Sequence, residues 1–295
     1  MNNTKEGNRI IRKKSFFKGW YFKNQSGSEV ISFIPAYHID LKGIHRASLQ
    51  VITSEKSYRL FYPIEDFYAS KKRLAVRLGK NLFSDKGIIV DIKTNELDLS
   101  GRLYYSTYQP LHHDIMGPFR YAPLLQCRHS IYSMAHSIYG YLDLNGRRIE
   151  FNRGTGYTEG DLGKGFPSRY IWTQCSWRDK NINSLMVSVA NVKIGCINFT
   201  GCICAIRYRG REYRIATYLG AKILVYNRKQ LWIKQGKFDL QVEILEKEES
   251  HLLAPVSGRM LRTVYESVNA KIHYRLLFQD NIIFDFIGQG CYECG

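Results

Sequence analysis

The chain alternates. Over EVISFIPAYHIDL (29–41), RASLQVIT (46–53), SYRLFYPI (57–64), KGIIVDIKT (86–94) and ELDLSGRLYY (96–105), short runs rich in β-branched and aromatic residues keep a period of two. Each ends at Gly, Asn, Asp, Ser or a similar turn former. A period of two puts successive side chains on opposite faces of an extended strand, and a helix of the same length cannot use it. The pattern resumes over NSLMVSVANVKI (183–194), GCICAIRYRGREYRIAT (201–217), KQLWIKQ (229–235) and KFDLQVEILEK (237–247). Asn145-Gly146 between GYLDL and RRIEF reads as a two-residue hairpin turn. The best helical candidate is the short stretch 64–73. Many short strands with turn punctuation predict an all-β antiparallel barrel or sandwich, and two sets of them predict two halves. The pattern breaks at YQPLHHDIMGPFRYAP, within a junction placed near 106–150, and this gives a flexible basic N-terminus over 1–14, a first half over 15–145 and a second over 146–295.

Charge narrows the choice of partners. With 43 Lys and Arg against 26 Asp and Glu the chain carries +17, which favours anionic partners and allows peripheral contact with an anionic membrane. The densest basic spots, RIIRKK (9–14) and KKR (71–73), are short, and no nucleic-acid motif accompanies them, so a solvated basic face is expected rather than nucleic-acid binding. No apolar run approaches the ~18 residues of a membrane span, and MNNTKEGNRIIRKK lacks the apolar core of a signal peptide, which argues for a cytoplasmic protein. Seven cysteines without a secretion signal read as reduced thiols. The spacing between the pairs Cys202/Cys204 and Cys291/Cys294 fits no standard zinc site; they read as buried strand cysteines and a frayed tail, and His112-His113-Asp114 as a polar loop. No metal and no cofactor are expected.

One stretch departs from scaffold. RGTGYTEGDLGKGFPSRYIWTQ (153–174) sets Glu159 and Asp161 two apart in a glycine-rich run with aromatic residues behind it. If 156–161 is extended, Tyr157, Glu159 and Asp161 share one face. Two carboxylates brought together in an apolar pocket repel and are poorly solvated, so one is driven to keep its proton, and a protonated carboxylic acid is a proton donor. The other reading is a glycine-rich loop whose acids face water.

Four blocks then fall in order along nearly the whole chain: FKGWYFK (17–23), GPFRYAP (117–123), CRHS with SMAH (127–130 and 133–136), and GYTEGDLGKGFP running on to IWTQ (156–167 and 171–174). A weaker block, PVSGRM, follows at 255–260. On these the sequence resembles the tocopherol cyclase family, related to the carotenoid hydratases. The resemblance implies two lipocalin-like antiparallel β-barrel halves. It also implies cofactor-free closure of a chromanol ring on a prenylated quinol or a similar alkene-bearing, isoprenoid-type lipid, in which an alkene is protonated and a ring hydroxyl adds to the resulting cation. Where the family has Lys after the motif Glu this chain has Gly160, and where it has Trp after the motif Asp this chain has Leu162. The first change removes a cation and the second an aromatic face.

Under that resemblance Asp161 is the first candidate for the acid and Glu159 the second, with Tyr157 beside them. His129 or His136 would take the phenolic proton. Trp20, Tyr21, Phe119, Tyr121, Tyr157 and Trp172 offer ring faces to the cation, with Arg120 and Gln174 as polar neighbours. Several of these have plainer readings. His129 and His136 are seven apart, so a regular strand puts them on opposite faces and at least one is structural unless the strand bulges. A Trp such as Trp20 at the start of a lipocalin-like barrel often closes its floor. Arg120 either pairs with a motif carboxylate or sits on the surface. Capture of the cation by water would make the protein an isoprenoid hydratase, and a barrel without chemistry would be a lipocalin-like binding protein for a hydrophobic ligand.

Overall fold

The computed structural model describes residues 15–123, 125–247 and 250–295, so the basic segment 1–14 lies outside the described residues. The first twelve strands are β1 (Phe16–Ser26), β2 (Glu29–Ile39), β3 (His45–Thr53), β4 (Ser57–Tyr62), β5 (Phe67–Ala69), β6 (Ala75–Leu78), β7 (Asn81–Ser84), β8 (Gly87–Lys93), β9 (Asp98–Tyr105), β10 (Cys127–Leu144), β11 (Arg147–Glu150) and β12 (Gly154–Gly163). The next ten are β13 (Tyr170–Arg178), β14 (Ile182–Ile194), β15 (Ile197–Tyr208), β16 (Arg211–Ala216), β17 (Lys222–Tyr226), β18 (Gln230–Gln235), β19 (Phe238–Glu246), β20 (Ser250–Val256), β21 (Arg259–Phe278) and β22 (Asn281–Cys294). Three 3-10 turns, at Ile64–Asp66, Gly117–Tyr121 and Thr217–Leu219, are the helical elements among the described residues.

Two antiparallel sheets result, each a lipocalin-like half. The first runs β4-β3-β2-β1-β12-β10-β9-β8-β7-β6-β5 with β11 on β10, and the second runs β16-β15-β14-β13-β22-β21-β19-β18-β17 with β20 on β21. Each half pairs its first strand with its last, β1 with β12 and β13 with β22. The alternation read from the sequence feeds one face of each sheet into its own core: Phe22, Phe33, Phe83 and Leu99 in the first, Val187, Ile233 and Leu276 in the second. A third cluster joins them. Tyr21, Met134 and Tyr157 of the first half pack with Trp172, Met186, Val268 and Cys291 of the second, all of them buried. Each large ring there removes ~150–250 Å² from water, which at ~25 cal/mol per Å² contributes about 4–6 kcal/mol of attraction before conformational entropy is counted.

The Asn-Gly turn forms as expected, with Asn145 at φ 50° and Gly146 at φ 82°, the left-handed pair that matches strand twist. Three expectations are corrected. The change of sheet falls between Gly163 and Tyr170 rather than at 145/146, because β11 and β12 return to pair with β10 and β1. The segment 106–126 is therefore a long connection within the first half, and it reaches the second: Arg214 donates to the carbonyls of His113 and Asp114, and Tyr218 to that of Ile115. The stretch 64–73 is no helix beyond its single 3-10 turn. Phe67 and Tyr68, which favour extended backbone, enter β5 against β6, and Ile64, Phe67 and Ala69 pack on the first core. The C-terminal cysteines are not a frayed tail; Cys291 and Cys294 are buried in β22, and all seven cysteines are free thiols.

Candidate active site

The acid motif lies on β12, where the two halves meet. Its alternation sends Tyr157, Glu159 and Asp161 to the side of the second half, and its glycines clear the other side. A Cβ on Gly156 would sit 2.1 Å from Nε2 of His136, and one on Gly160 would sit 2.8 Å from the Gly19 carbonyl and 3.0 Å from the Tyr132 ring. The family's Lys at the position of Gly160 would not stand beside the carboxylates: a side chain there would enter the first half, away from them.

His129 is the cross-strand partner of Asp161, and it stands between the two acids. Its Nδ1 is 3.0 Å from Asp161 Oδ1 and its Nε2 is 3.2 Å from Glu159 Oε2. The Tyr157 hydroxyl donates to Glu159, and the Cys127 thiol donates to Asp161 Oδ1 at 3.5 Å. Among the described residues both hydrogen bonds to Asp161 fall on Oδ1. Burial alone would lower the pKa of His129, but the charges of Glu159 and Asp161 more than offset it and hold the imidazole well above its usual value. Burial, with Asp161 second, keeps the Cys127 thiol protonated. One ligand atom from each of His129, Glu159 and Asp161 lies within 4.8 Å of the others, a spacing that a cation could bridge. Of those atoms His129 Nδ1 and Asp161 Oδ1 are hydrogen-bonded, whereas His129 Nε2 meets Glu159 as an ion pair without hydrogen-bond geometry.

The second half brings two more carboxylates that sequence reasoning missed. Glu293 of β22 is the cross-strand partner of Trp172 and of Glu266. It accepts a hydrogen bond from the Tyr170 hydroxyl. Burial raises its pKa to about 7, with the Tyr170 bond opposing and the charges of Asp161 and Glu159 reinforcing the shift. Glu266 is fully buried, neither oxygen has a hydrogen bond of good geometry among the described residues, and burial followed by the charges of Glu293 and Glu159 pushes it well above the carboxylate range against the opposing Tyr21 hydroxyl. A neutral carboxylic acid is the form such a place allows. The signal in the sequence was a charge set inside an apolar run, YESVNA for Glu266 and GCYECG for Glu293.

Glu159, Asp161 and Glu293 border two cavities. The larger, of about 140 Å³, is walled by Phe119, Phe166, Tyr170, Trp172 and Ile203 with Cys127, His129, Glu159, Asp161 and Glu293 at its polar end. The smaller, of about 60 Å³, lies on the other side of the same acids, among Trp20, Tyr21, Ile34, Leu252 and Val264.

The candidate residues sort accordingly. Asp161, Glu159, His129, Phe119 and Trp172 border the larger cavity, Trp20 and Tyr21 the smaller. Trp20 also belongs to the first core, with 4% of its surface exposed. Five residues line neither cavity. Tyr157 is buried in the cluster between the halves and reaches Glu159 through its hydroxyl. His136 is buried under Gly156, stacked on Tyr108 and bonded to Ser133, on the face opposite His129 as their spacing predicts, because the one-residue register shifts at Ile131/Ser133 and Ser133/His136 together leave the alternation intact. Gln174 is buried beyond the cavities, where it accepts from Lys23 Nζ at 2.9 Å. Arg120 pairs with Asp114 at 3.5 Å and lies over Tyr121, and Tyr121 is 77% exposed. The Gly117–Tyr121 turn that carries them points Phe119 inward and leaves its two neighbours on the surface.

The sequence profile of a family described as tocopherol cyclase-like matches residues 103–293. No curated protein matches the chain in sequence. Among solved structures, a protein of Nitrosomonas europaea described as an AttH is similar with a TM-score of 0.55 at 12% identity, covering 95% of this chain and 92% of its own. A kievitone hydratase from Nectria haematococca is similar with a TM-score of 0.55 at 13% identity, covering 95% and 88%. At such identities the likeness is one of fold.

Proposed function

This chain belongs to the tocopherol cyclase-like family, and from that premise we propose that it catalyses acid-initiated cyclisation of a prenylated quinol or a similar alkene-bearing lipid. The observation that carries the reading is the row Asp161–His129–Glu159 at the polar end of an aromatic cavity. A carrier has little use for such a row, since charged groups held out of water cost several kcal/mol.

The row can give a proton at one end and recover it at the other. Passing the imidazolium proton to Asp161 makes a carboxylic acid in contact with the cavity. Asp161 then protonates the alkene: the π pair forms the new C–H bond, and a tertiary cation remains. Trp172, Phe119 and Phe166 supply ring faces, each worth ~0.5–2 kcal/mol to a well-placed cation, and the acids of the row supply negative charge. A ring hydroxyl adds through oxygen, and its proton returns to the neutral imidazole directly or through Glu159. Substrate and product are isomers, so the step needs no co-reactant. The apolar walls matter because water in the cavity would capture the cation.

The same first step with water as the nucleophile gives hydration, which the likeness to a kievitone hydratase supports as the second reading. Incubating the protein with a pool of prenylated quinols and isoprenoid lipids, followed by mass spectrometry and chromatography, separates the outcomes. A product of unchanged mass and altered retention is cyclisation; a gain of one water is hydration. Bound lipid recovered unchanged would make the protein a carrier and sink the proposal.

A further inference from the structure

The larger cavity opens beneath the β14–β15 hairpin, which makes an unusual rim. Val192, Lys193 and Phe199 of the hairpin line the cavity. Two residues further out the strands end in Ile194-Gly195-Cys196-Ile197, with Ile194 opposite Ile197 and Gly195 at φ 60° making the turn. Ile197 is 66% exposed and Cys196 is exposed as well. Hairpin tips in water normally carry Asn, Asp, Ser or Gly. Single exposed apolar residues elsewhere on the surface need no account, but an apolar tip at a cavity mouth is a different case.

The rim continues on the opposite side. The Phe199 ring packs on Phe119 at 5.8 Å, and two residues on stands Tyr121, with the Arg120 guanidinium over its ring. Leu125 of the same connection also lines the opening. Cations frame these groups: exposed Lys193 on the hairpin, half-exposed Arg120, whose partner Asp114 is 3.5 Å away, and exposed Arg169, whose carbonyl accepts from Asn191 at the foot of the hairpin. Apolar side chains with an aromatic anchor inside a ring of Lys and Arg match the layering of an anionic bilayer surface, with acyl region, headgroup boundary and phosphate in turn. The net charge of +17 adds long-range attraction of the same sign.

We infer that the mouth of the larger cavity docks on an anionic lipid bilayer, with the Ile194–Ile197 tip inserted and Tyr121 at the interface. A lipid substrate could then pass from the bilayer into the cavity without crossing water. The inference rests on the reading of the cavity as a lipid site, and the test keeps the two apart.

Sedimentation of the full chain with phosphatidylcholine vesicles, with and without phosphatidylserine, measures docking. Uptake of a short-chain prenylated quinol below its micelle concentration, followed by tryptophan fluorescence, measures the cavity. The wild type should bind the anionic vesicles and release at high salt. Ile197→Asp should weaken that binding about a hundredfold, since a lost apolar contact and a repelled charge each count for about tenfold at such a surface, and should leave uptake of the soluble quinol unchanged. No binding of the wild type to anionic vesicles, or equal binding by Ile197→Asp, overturns the inference. So does a dimer in the absence of lipid that Ile197→Asp dissolves, which would assign the tip to a second copy of the chain. Failure of uptake with vesicle binding intact would instead count against the cavity as a lipid site.

Discussion

His129 and Asp161 are direct cross-strand partners on β10 and β12, with Nδ1 3.0 Å from Oδ1, and Glu159 closes the other side of the same ring at 3.2 Å. One imidazole thus answers to two carboxylates, and what each contributes can be separated by substitution.

Asp161→Asn keeps size and hydrogen-bonding shape but cannot deliver a proton. Turnover should fall by about 10²–10⁴-fold, the usual share of a positioned general acid, while quinol uptake and thermal stability stay near wild type. Activity retained in Asp161→Asn would move the acid to Glu159 or Glu293.

His129→Asn removes the cation and leaves Glu159 and Asp161 facing each other. Breaking a buried charge pair costs about 3–5 kcal/mol, and Glu159 is buried while Asp161 and His129 are largely so. The sign with pH follows from the raised imidazole pKa. The contribution is fully present below about 6.5, the unfolded value, and disappears as pH rises through the higher folded value. Denaturant melts of the two proteins across pH should therefore diverge near neutrality and converge in alkali. A constant difference would mean that His129 acts by packing alone.

Glu293 loses its contribution in the same direction of pH, although here it is the neutral form that the fold favours. Its folded pKa of about 7 lies above the unfolded value of 4.5, so the folded state holds the extra proton and is favoured below 4.5. That advantage drains as pH climbs to about 7, a change of roughly 3 kcal/mol from the shift. Glu293→Gln keeps the neutral form at every pH and should be more stable than wild type at pH 8, with the gap closing towards pH 4. Identical pH–stability curves for the two proteins would place the ionised Glu293 in a better-solvated site than this one.

What was legible in the sequence was whatever repeats locally. Period two gave the strands, Asn145-Gly146 gave its turn, and the alternation of 156–161 brought Tyr157, Glu159 and Asp161 to one face. What was not legible is pairing between distant strands. Glu266 and Glu293 look like ordinary strand residues until β22 is laid beside β13, because register between segments a hundred residues apart leaves no local trace. Within one strand the spacing held: His129 beside Asp161 and His136 beside Gly156 take opposite faces, since the two one-residue shifts between Ile131 and His136 together preserve the alternation. The 145/146 boundary failed for a related reason, since a turn marks where a strand ends and not which sheet the next one joins.

Gly156 carries the last prediction. Its backbone angle asks nothing of glycine; what excludes a side chain is the His136 ring, whose Nε2 would lie 2.1 Å from a Cβ. His136 is fully buried, stacked on Tyr108 at 4.6 Å and close to Tyr105 at 4.5 Å, and burial lowers its pKa to about 3. It cannot move without disturbing both tyrosines. Gly156→Ala should thus cost about 1–3 kcal/mol, the range for an overpacked core. If the clash is the cause, the cost belongs to the pair: in a His136→Ala background, where the space is vacant, the added methyl should cost little or should stabilise by refilling part of the cavity. Thermal or denaturant melts of the four proteins close that cycle. Additive costs would trace the Gly156→Ala effect to the strand itself and free His136 from the account.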